Sequence, residues 1–439
     1  MTLKNILTAT LFLILPSILF SQKMLTQQEA VAFALENNYG IRIAKNNVEV
    51  ARNNTDPRAN GYNPTVNFNA GPNASIGSAV QKFNGPLNDA EVNNAFSWTA
   101  SAALSANYTL LDKSRDFQLD QLKEVLNLSD LQLRQTLENN LLQVLNNYYE
   151  VARLTEIQKV LEQTFEVSRR RLERSQYRYD YGQGNRLDML NSEVDIQRDS
   201  INLLNSRQQL ANAKRNLNFV MGTPVDSDFT VNTEVVYDSN LQQAQLIAAA
   251  KKENVAILAA NQNLVIQEMD LKIIDASRKP TLTANAAYNY NYQDNAAGSF
   301  IASSRTNGLN TGVTINWNIF DGGLRSVQTQ NTQLAVLNQL VQKEQIEQQL
   351  ERDVRNAWET FQNALFVLEV ERNSLSTNEA NLERTRELFE AGQVNSVEFR
   401  QAQLNLLNAE VSFNSAKYNA KVLELQLLQL SGGLLERLD

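Results

Sequence analysis

The chain has 439 residues and a formal net charge of −8, and it contains no cysteine and no histidine. The negative charge argues against a nucleic-acid partner. The missing residue types exclude disulfides, a thiol nucleophile, a lipid anchor on cysteine, histidine-based acid–base catalysis and the histidine metal motifs. No glycine-rich phosphate loop or nucleophile motif is present either, so the sequence predicts neither an enzyme nor a site for a metal or cofactor.

The first segment of the chain is apolar and short. Lys4 precedes an apolar run over residues 6–20, which Pro16 interrupts, and polar residues follow at 21–23. This order predicts a secretory signal peptide over residues 1–22. An N-terminal membrane helix is the alternative, although the run is shorter than the ~20 residues that a spanning helix needs. No later stretch approaches a spanning helix, so any membrane contact has to use strands.

The clearest periodic pattern begins at Phe96. From Phe96 to Leu110 every even-numbered residue is apolar, and every odd-numbered residue except Ala103 is polar. A period of two predicts a β-strand with one apolar and one polar face. The run is longer than the ~9–11 residues with which a tilted strand crosses a bilayer. The same alternation predicts four strands in all, over about residues 64–76, 96–111, 280–293 and 311–320.

These strands carry two different surfaces. The polar face consists of uncharged Thr, Asn and Ser and is predicted to line a hydrated lumen. Polar loops, at about 76–95 and 294–310, are predicted to join the strands of each pair. The edge of a soluble β-sandwich is the alternative interpretation. On the apolar face, aromatic residues suit a membrane girdle: Trp98, Tyr108, Tyr288, Tyr290, Tyr292 and Trp317.

The segment after the second strand predicts a very long helix. Residues 113–180 contain neither proline nor glycine, and at ~1.5 Å per residue a single helix would span on the order of 100 Å. Near the end of the chain, apolar residues from Phe399 to Leu430 recur in steps of three and four, which is a heptad seam. The segment from Met189 to Val220 has the same spacing with three polar positions: Ser192, Asp199 and Ser206.

Each half of the chain is therefore predicted to form an antiparallel coiled-coil hairpin. The hairpins turn at glycines, Gly182 in the first and Gly392 in the second. A helix over about residues 25–55 is predicted to stack end to end with the last helix of its half, because the two together have about the length of the long helix.

The two halves match each other at an offset of 210 residues. YGQGN at 181–185 corresponds to AGQVN at 391–395, and VMG at 220–222 corresponds to LSG at 430–432. Self-similarity at a fixed spacing indicates a duplicated unit. We therefore predict a tandem repeat with a first copy over 23–222, a linker over 223–240 and a second copy over 241–439.

The strand count predicts an assembly of several chains. Four strands cannot close a barrel, and open strand edges cannot lie in lipid. Membrane barrels have even strand numbers of about eight or more, so two, three or four chains would each satisfy the count.

The signal peptide, the repeat, the paired strands and the glycine-tipped hairpins together resemble the TolC outer membrane efflux family. The local motifs are the two tip sequences, YGQGNRLD at 181–188 and AGQVNSVE at 391–398. The resemblance implies a mainly helical chain whose long antiparallel coiled-coil helices form a periplasmic α-barrel. It also implies a homotrimer in which each chain contributes four transmembrane strands to one twelve-stranded outer-membrane β-barrel.

The implied function is that of an outer-membrane exit duct in a tripartite efflux or type I secretion system. Such a duct passes small molecules or proteins passively from the periplasm or an inner-membrane pump to the outside. The implied partners are a periplasmic adaptor (membrane fusion protein), an inner-membrane pump and outer-membrane lipid. A soluble periplasmic coiled-coil scaffold or an adaptor subunit is the alternative, and neither of these explains four alternating strands with aromatic rims.

The resemblance also places a gate at the hairpin tips. Family members narrow there and carry acidic side chains six residues beyond the tip glycine, which correspond here to Asp188 and Glu398. In a trimer each would form a ring of three carboxylates, and such rings favour cations. The alternative is that both are solvated charges, or charges that stabilise the first turn of a helix.

Some family features are missing at the tips. Val394 stands where some relatives carry a basic residue, and Phe389 stands where relatives can have tyrosine. Arg186 and Arg400 lie close by in the sequence and are candidate substitutes in the gate. The resemblance further assigns adaptor docking to four tip residues whose glycines are in any case needed for the turn: Gly182, Gln183, Gly392 and Gln393.

Overall fold

The computed structural model describes residues 24–82, 84, 90–295 and 301–435. The signal peptide predicted over 1–22 lies outside the described residues, as do parts of the two predicted loops. Helices dominate the described part of the chain, and four long strands form one sheet.

The two halves of the chain contain the same order of main elements. The first half contains β1 (Met24–Leu25), α1 (Gln27–Asn37), α2 (Tyr39–Asn54), a 3₁₀ turn (Pro57–Asn60), β2 (Thr65–Gln81), β3 (Ala90–Leu111), α3 (Lys113–Asp180) and α4 (Arg186–Met221). The second half contains β4 (Thr230–Val231), α5 (Gln243–Glu253), α6 (Val255–Ala276), β5 (Thr281–Asp294), β6 (Ser303–Asn316), α7 (Leu324–Glu390) and α8 (Ser396–Leu430).

The single helix predicted over about residues 25–55 is divided into α1 and α2 at Asn38. The side-chain oxygen of Asn38 caps α2, and its amide nitrogen donates a hydrogen bond to the Val220 carbonyl at 2.7 Å. Asn254 separates α5 from α6 in the same way and donates to the Leu430 carbonyl at 2.9 Å. The prediction missed the break because an asparagine can also lie within a helix, and here its side chain combines a local cap, accepting from the Ile41 N–H, with a bond to the distant last helix.

Gly222 and Gly432 end the last helix of each half beside these asparagines. Both have positive φ, +72° and +79°. A Cβ on Gly222 would lie 2.4 Å from the Asn37 carbonyl oxygen, and one on Gly432 would lie 3.0 Å from the Glu253 backbone. The positive φ and the close approach of neighbouring backbone both require glycine, which explains why each half has a glycine at this point.

The long helices are continuous. The 68 residues of α3 span ~100 Å at ~1.5 Å per residue, and α7 has 67 residues. The side chain of Asp112 caps the start of α3 by accepting from the Ser114 N–H at 3.0 Å. α3 packs against α4, and α7 packs against α8, so each half forms a helical hairpin. The halves meet where α3 contacts α6 and α8.

The last helix, α8, buries two faces rather than the single predicted seam. Five seam residues are buried: Phe399, Ala402, Ala409, Ala420 and Leu427. A second buried set lies beside them: Arg400, Gln403, Leu407, Asn414, Tyr418, Glu424, Leu425 and Leu428. Because α8 contacts both α7 and α3, it needs two packed faces. The second face is partly polar, so hydrophobic spacing alone does not reveal it.

The apolar core is densest around the middle of α3. The Tyr148 ring is fully buried there, and its hydroxyl donates to the Leu25 carbonyl at 3.1 Å. The same hydroxyl accepts from the Asn232 N–H at 3.2 Å. Strand β1 pairs in parallel with β4, so the segment between the halves is fixed beside the start of the described chain.

The four long strands form one antiparallel sheet in the order β2-β3-β5-β6. The observed strands extend further toward the loops than the predictions of 64–76, 96–111 and 311–320, and β6 ends at Asn316 instead of 320. Glycine, serine and asparagine in these extensions break the apolar alternation and suggested loops. The backbone nevertheless continues the hydrogen-bonded ladder there, which depends on the partner strand and not on side-chain hydrophobicity.

None of the helices in the described ranges is both long enough and apolar enough to cross a membrane.

Candidate functional site

The sheet has one polar and one apolar face, and the register continues both across all four strands. Phe68, Leu104, Tyr288 and Leu309 lie side by side in one row. Their side chains are between 49% and 69% exposed in the single chain. Exposed apolar rows of this size mark a surface that another phase or molecule covers. The opposite face carries uncharged rows such as Gly71, Ser101, Asn291 and Thr306.

Aromatic side chains mark both ends of the apolar face. Toward the loops, the rings of Trp98 and Tyr292 lie 5.1 Å apart, and Arg305 lies 5.4 Å from the Tyr290 ring. At the helix end lies Tyr108. The ten steps along the strand from Trp98 to Tyr108 span ~34 Å at ~3.4 Å each, or ~25 Å in height for a strand tilted by ~40°. This matches the apolar band of a membrane barrel.

Two other predicted girdle residues lie elsewhere on this surface. Tyr288 lies midway along the apolar face. Trp317 follows β6 instead of lying within a strand, and its indole N–H donates to the Arg278 carbonyl at 3.0 Å.

The hairpin tips lie at the opposite ends of the long helices and share one turn geometry. Gly182 and Gly392 have φ of +71° and +72°, and a Cβ on either would meet nothing within 4 Å. After them, the Gln183 N–H donates to the Arg178 carbonyl at 2.7 Å, and the Gln393 N–H makes the equivalent bond at 2.8 Å. This pattern closes a helix end through a left-handed glycine. All four predicted docking residues are exposed.

The two acidic residues predicted for the gate have different surroundings. Asp188 is half-buried and lines a cavity together with arginines of α3. Glu398 is exposed and belongs to a capping box, in which its carboxylate accepts from the Asn395 N–H at 3.0 Å. Glu398 therefore stabilises the start of α8 whether or not it acts in a gate.

The other predicted gate residues are not brought together into one group. Phe389 stacks on Phe399 with ring centroids 4.9 Å apart, which joins α7 to α8 just before the tip. Arg186 is exposed in the first turn of α4. Arg400 is only 6% exposed and points into the contact between the two hairpins.

A buried ionic cluster surrounds Arg400. Its guanidinium makes two bonds to the Asp199 carboxylate, at 2.7 and 2.9 Å, and donates to the Ser168 hydroxyl at 3.2 Å. The Ser168 hydroxyl in turn donates to Asp199 at 2.6 Å. The cluster joins α3, α4 and α8, so it ties the second hairpin to the first. Asp199 is one of the three polar positions in the predicted seam of α4, and an interrupted apolar seam was the available signal for it.

A second buried pair lies against this cluster. Arg171 donates to the Asp195 carboxylate, which also lies 3.5 Å from Arg400 Nε. Burial, followed by the positive charge of Arg400, lowers the pKa of Arg171 to about 10. Nothing in the sequence distinguishes Arg171, because an arginine in a charged helix carries no signal of burial.

The fold and this geometry can be compared with known proteins. The model of the family described as "Outer membrane efflux protein" matches residues 31–223 and again residues 246–433.

Two curated relatives carry the name "Outer membrane protein TolC". The protein from Vibrio cholerae is 21% identical over 339 residues, which cover 77% of each chain. The protein from Escherichia coli is 20% identical over 355 residues, covering 79% of this chain and 72% of the relative.

Among solved structures, the CmeC outer membrane channel of Campylobacter jejuni superimposes with a TM-score of 0.72 and 14% identity, covering 93% of this chain and 86% of CmeC. At this identity the superposition shows a shared fold. The family match, which spans most of the chain in two segments, shows more. The chain belongs to the outer membrane efflux protein family and is an outer-membrane exit duct with a helical part in the periplasm.

Proposed function

We propose that three identical chains form one duct, each contributing four strands to a twelve-stranded outer-membrane barrel and its helices to a periplasmic tunnel. The observation that carries the proposal is the sheet β2-β3-β5-β6. Among the described residues, the outer edges of β2 and β6 have no partner strand, and one face exposes rows of large apolar side chains. Such a sheet needs both partner strands and lipid. The number three comes from the family resemblance.

In this proposal the two halves are copies of one unit. The family model matches the chain twice. Asn38 and Asn254 make the same bond to the last helix of their half, and Gly222 and Gly432 end these helices in the same conformation. The two halves agree in these contacts as well as in the spacing of their sequence motifs, and this agreement supports a duplication.

The proposed role of the duct is passive transfer without catalysis. Cargo enters at the hairpin tips, ~100 Å from the sheet, and leaves through the barrel. The exposed tips with Gly182 and Gly392 are the proposed docking point for a periplasmic adaptor, which connects the duct to an inner-membrane pump.

Asp188 and Glu398 are the proposed acidic rings of the tunnel entrance. Both lie in the first turn beyond a tip, at the far end of the tunnel. Three copies of each carboxylate would attract cations and would be blocked by multivalent ones. Asp188→Asn and Glu398→Gln remove the charges, and glutamine can preserve the capping box at Glu398.

Single-channel recording in lipid tests these rings. We expect the double variant to lose block by a trivalent cation and to have altered conductance, while Glu359→Gln, an exposed substitution within α7, changes neither. Unchanged cation block in the double variant would rule out the rings and leave the trimeric duct itself untouched.

The alternative of a soluble periplasmic scaffold does not account for the sheet. It would leave the row of Phe68, Leu104, Tyr288 and Leu309 in water, which is unfavourable for apolar surface of this size. Behaviour on extraction separates the two, because a duct is recovered from the outer-membrane fraction only with detergent.

Disulfide cross-linking tests the trimer directly, since the chain has no cysteine of its own. We would combine Asn69→Cys on β2 with Thr306→Cys, Gly308→Cys or Asn310→Cys on β6. These positions lie on the polar face at the two open edges of the sheet. In the proposed barrel, β6 of one chain lies beside β2 of the next, so at least one combination should give a cross-linked species of three chains.

The matched control pairs Ser101→Cys with Asn291→Cys, which face each other within one sheet. This pair should cross-link only within a chain. Cross-linked species of two or four chains as the largest product, or no product from any edge combination, would refute the trimer.

A further inference from the structure

A cleft between the two hairpins, close to their tips, is lined by guanidinium groups. It consists of two adjoining cavities of about 300 Å³ each, which share Arg171, Arg174 and Phe389. Each cavity alone is at the lower end of the range for small-molecule sites. The walls come from the end of α3 on one side and from the tip of the second hairpin on the other.

Positive charge predominates in this cleft. Five arginines line the two cavities: Arg170, Arg171, Arg174, Arg178 and Arg386. The only lining carboxylates are those of Glu390 and Asp188. Neither Arg170 nor Arg174 forms an ion pair or hydrogen bond within the described ranges, although neighbouring Arg169 is paired with two glutamates.

One of these arginines is buried and incompletely paired. Arg171 is 6% exposed, and it lines both cavities. One of its nitrogens binds Asp195, whereas Nε and Nη1 have no acceptor among the described residues. Both of these nitrogens are closed off from solvent, so Arg171 contributes positive charge to the cleft and not a free donor.

The cleft also has an apolar wall. Phe389 lines both cavities, and its ring is held in place by stacking on Phe399 at 4.9 Å. Val167, on the α3 side of the cleft, adds a second apolar side chain. A ligand that fits both surfaces therefore has an anionic group at one end and an apolar ring or chain at the other.

We infer that this cleft binds a small organic anion, whose carboxylate, phosphate or phosphonate group accepts hydrogen bonds from Arg170 and Arg174 while its apolar part lies against Phe389. Planar guanidinium groups bind such oxyanions with two parallel bonds. The ligand contacts α3 of the first hairpin and Arg386 or Phe389 of the second. Binding therefore stabilises the packing of the two hairpins at their tips, which in the proposed duct is the entrance.

Titration calorimetry on the detergent-purified protein tests the site with two probes of equal charge, phenylphosphonate and methylphosphonate, at constant ionic strength. We expect saturable binding of one phenylphosphonate per chain, at least fivefold tighter than methylphosphonate because only the phenyl group reaches Phe389. Arg174→Gln should weaken phenylphosphonate binding at least tenfold. Arg169→Gln, an exposed substitution outside the cleft, should change it less than twofold.

Arg386→Gln and Arg384→Gln form a second matched pair on the other wall. Both are exposed and pair with a glutamate, Arg386 with Glu383 and Arg384 with Glu387, but only Arg386 lines the cleft. Only Arg386→Gln should weaken binding.

Any of three results would overturn the inference: no saturable binding, equal affinity for the two probes, or an equal loss of phenylphosphonate affinity in the cleft and control variants. These outcomes are distinct from failure of the duct proposal, because the cross-linking of β2 to β6 does not depend on the cleft.

Discussion

The ionic cluster at Arg400 gives the sharpest stability prediction. Arg400→Met replaces the guanidinium by an apolar side chain of similar length and leaves Asp199 charged and buried. Asp199→Asn keeps the shape and the bond from Ser168 but removes the carboxylate that pairs with Arg400 through two bonds, leaving only the longer contact with Asp195. The Arg400 and Asp199 side chains are only 8% and 3% exposed. Water can therefore hydrate only slightly the charged group that each substitution leaves without its partner.

The expected cost of each single change follows from this burial. Removing one partner of a buried ion pair costs about 3–5 kcal/mol. At roughly 2 °C per kcal/mol, the midpoint of thermal unfolding should fall by about 6–10 °C. The double variant of Arg400→Met with Asp199→Asn removes both charges and should recover most of this loss. Circular dichroism at one fixed scan rate measures all three variants, because a protein of this kind unfolds irreversibly and its midpoint depends on the rate.

The control for this experiment is Arg384→Met, which breaks the exposed pair with Glu387. Exposed pairs contribute about 0–1 kcal/mol, so the midpoint should move by ~2 °C or less. Two results would refute the reasoning about Arg400 and Asp199. One is that each single variant has the same thermal midpoint as the control. The other is that the midpoint of the double variant falls by the sum of the decreases in the two single variants.

Three further predictions concern a glycine, the sheet and a buried carboxyl. Gly222→Ala should destabilise the protein more than Gly182→Ala, because both have φ near +72° but only at Gly222 would a Cβ collide with backbone; thermal midpoints compare them. Leu104→Arg should reduce the yield of folded protein in the outer membrane, at a cost of about 2–4 kcal/mol for a charge in lipid, whereas Ser105→Arg on the polar face should not. Glu410→Gln should raise the thermal midpoint at pH 7 and have no effect near pH 4. Burial, and then a nearby glutamate, raises the pKa of Glu410, so its contribution to stability is fully present at low pH and is lost as the pH rises.

Each of these comparisons has a result that contradicts it. Equal midpoints for the two glycine variants would mean that the end of α1 can move away from Gly222. Equal yields for Leu104→Arg and Ser105→Arg would mean that the two faces of the sheet do not differ in environment. If Glu410→Gln raised the thermal midpoint equally at pH 7 and near pH 4, the cause would be improved packing and not the removal of a charge.

Much of the fold could be predicted because its signals are local. The absence of proline and glycine from residues 113–180 predicts a helix with the observed bounds of α3, and strand alternation predicts which side chains share a face. The divided first helix could not be predicted in the same way. Asn38, where α1 ends, caps α2 locally and also donates from its amide to Val220, which is 182 residues away in the sequence. Long-range partners of this kind leave no periodic signal.

The tip region was harder to predict for a related reason. The glycines of the turns follow a local rule and were found. Arg400 was singled out only for its position near the tip, and nothing around it in the sequence indicates that it is buried against Asp199. Polar residues in a seam indicate that something other than apolar packing occurs there, but they do not identify the partner. The buried Arg171 lacked even this signal.

The order of packing along α3 shows why the tips depend on charge. From Leu141 to Val160 the buried residues of α3 are all apolar or aromatic, whereas beyond Val160 its buried residues are Ser168 and Arg171. Apolar burial is non-directional and tolerates small shifts, but a bidentate ion pair fixes distance and angle. Near the tips the two hairpins are therefore aligned by a few directed bonds, while the middle of the protein is held by its core. A change of charge at the tips can consequently alter their alignment without unfolding the rest of the chain.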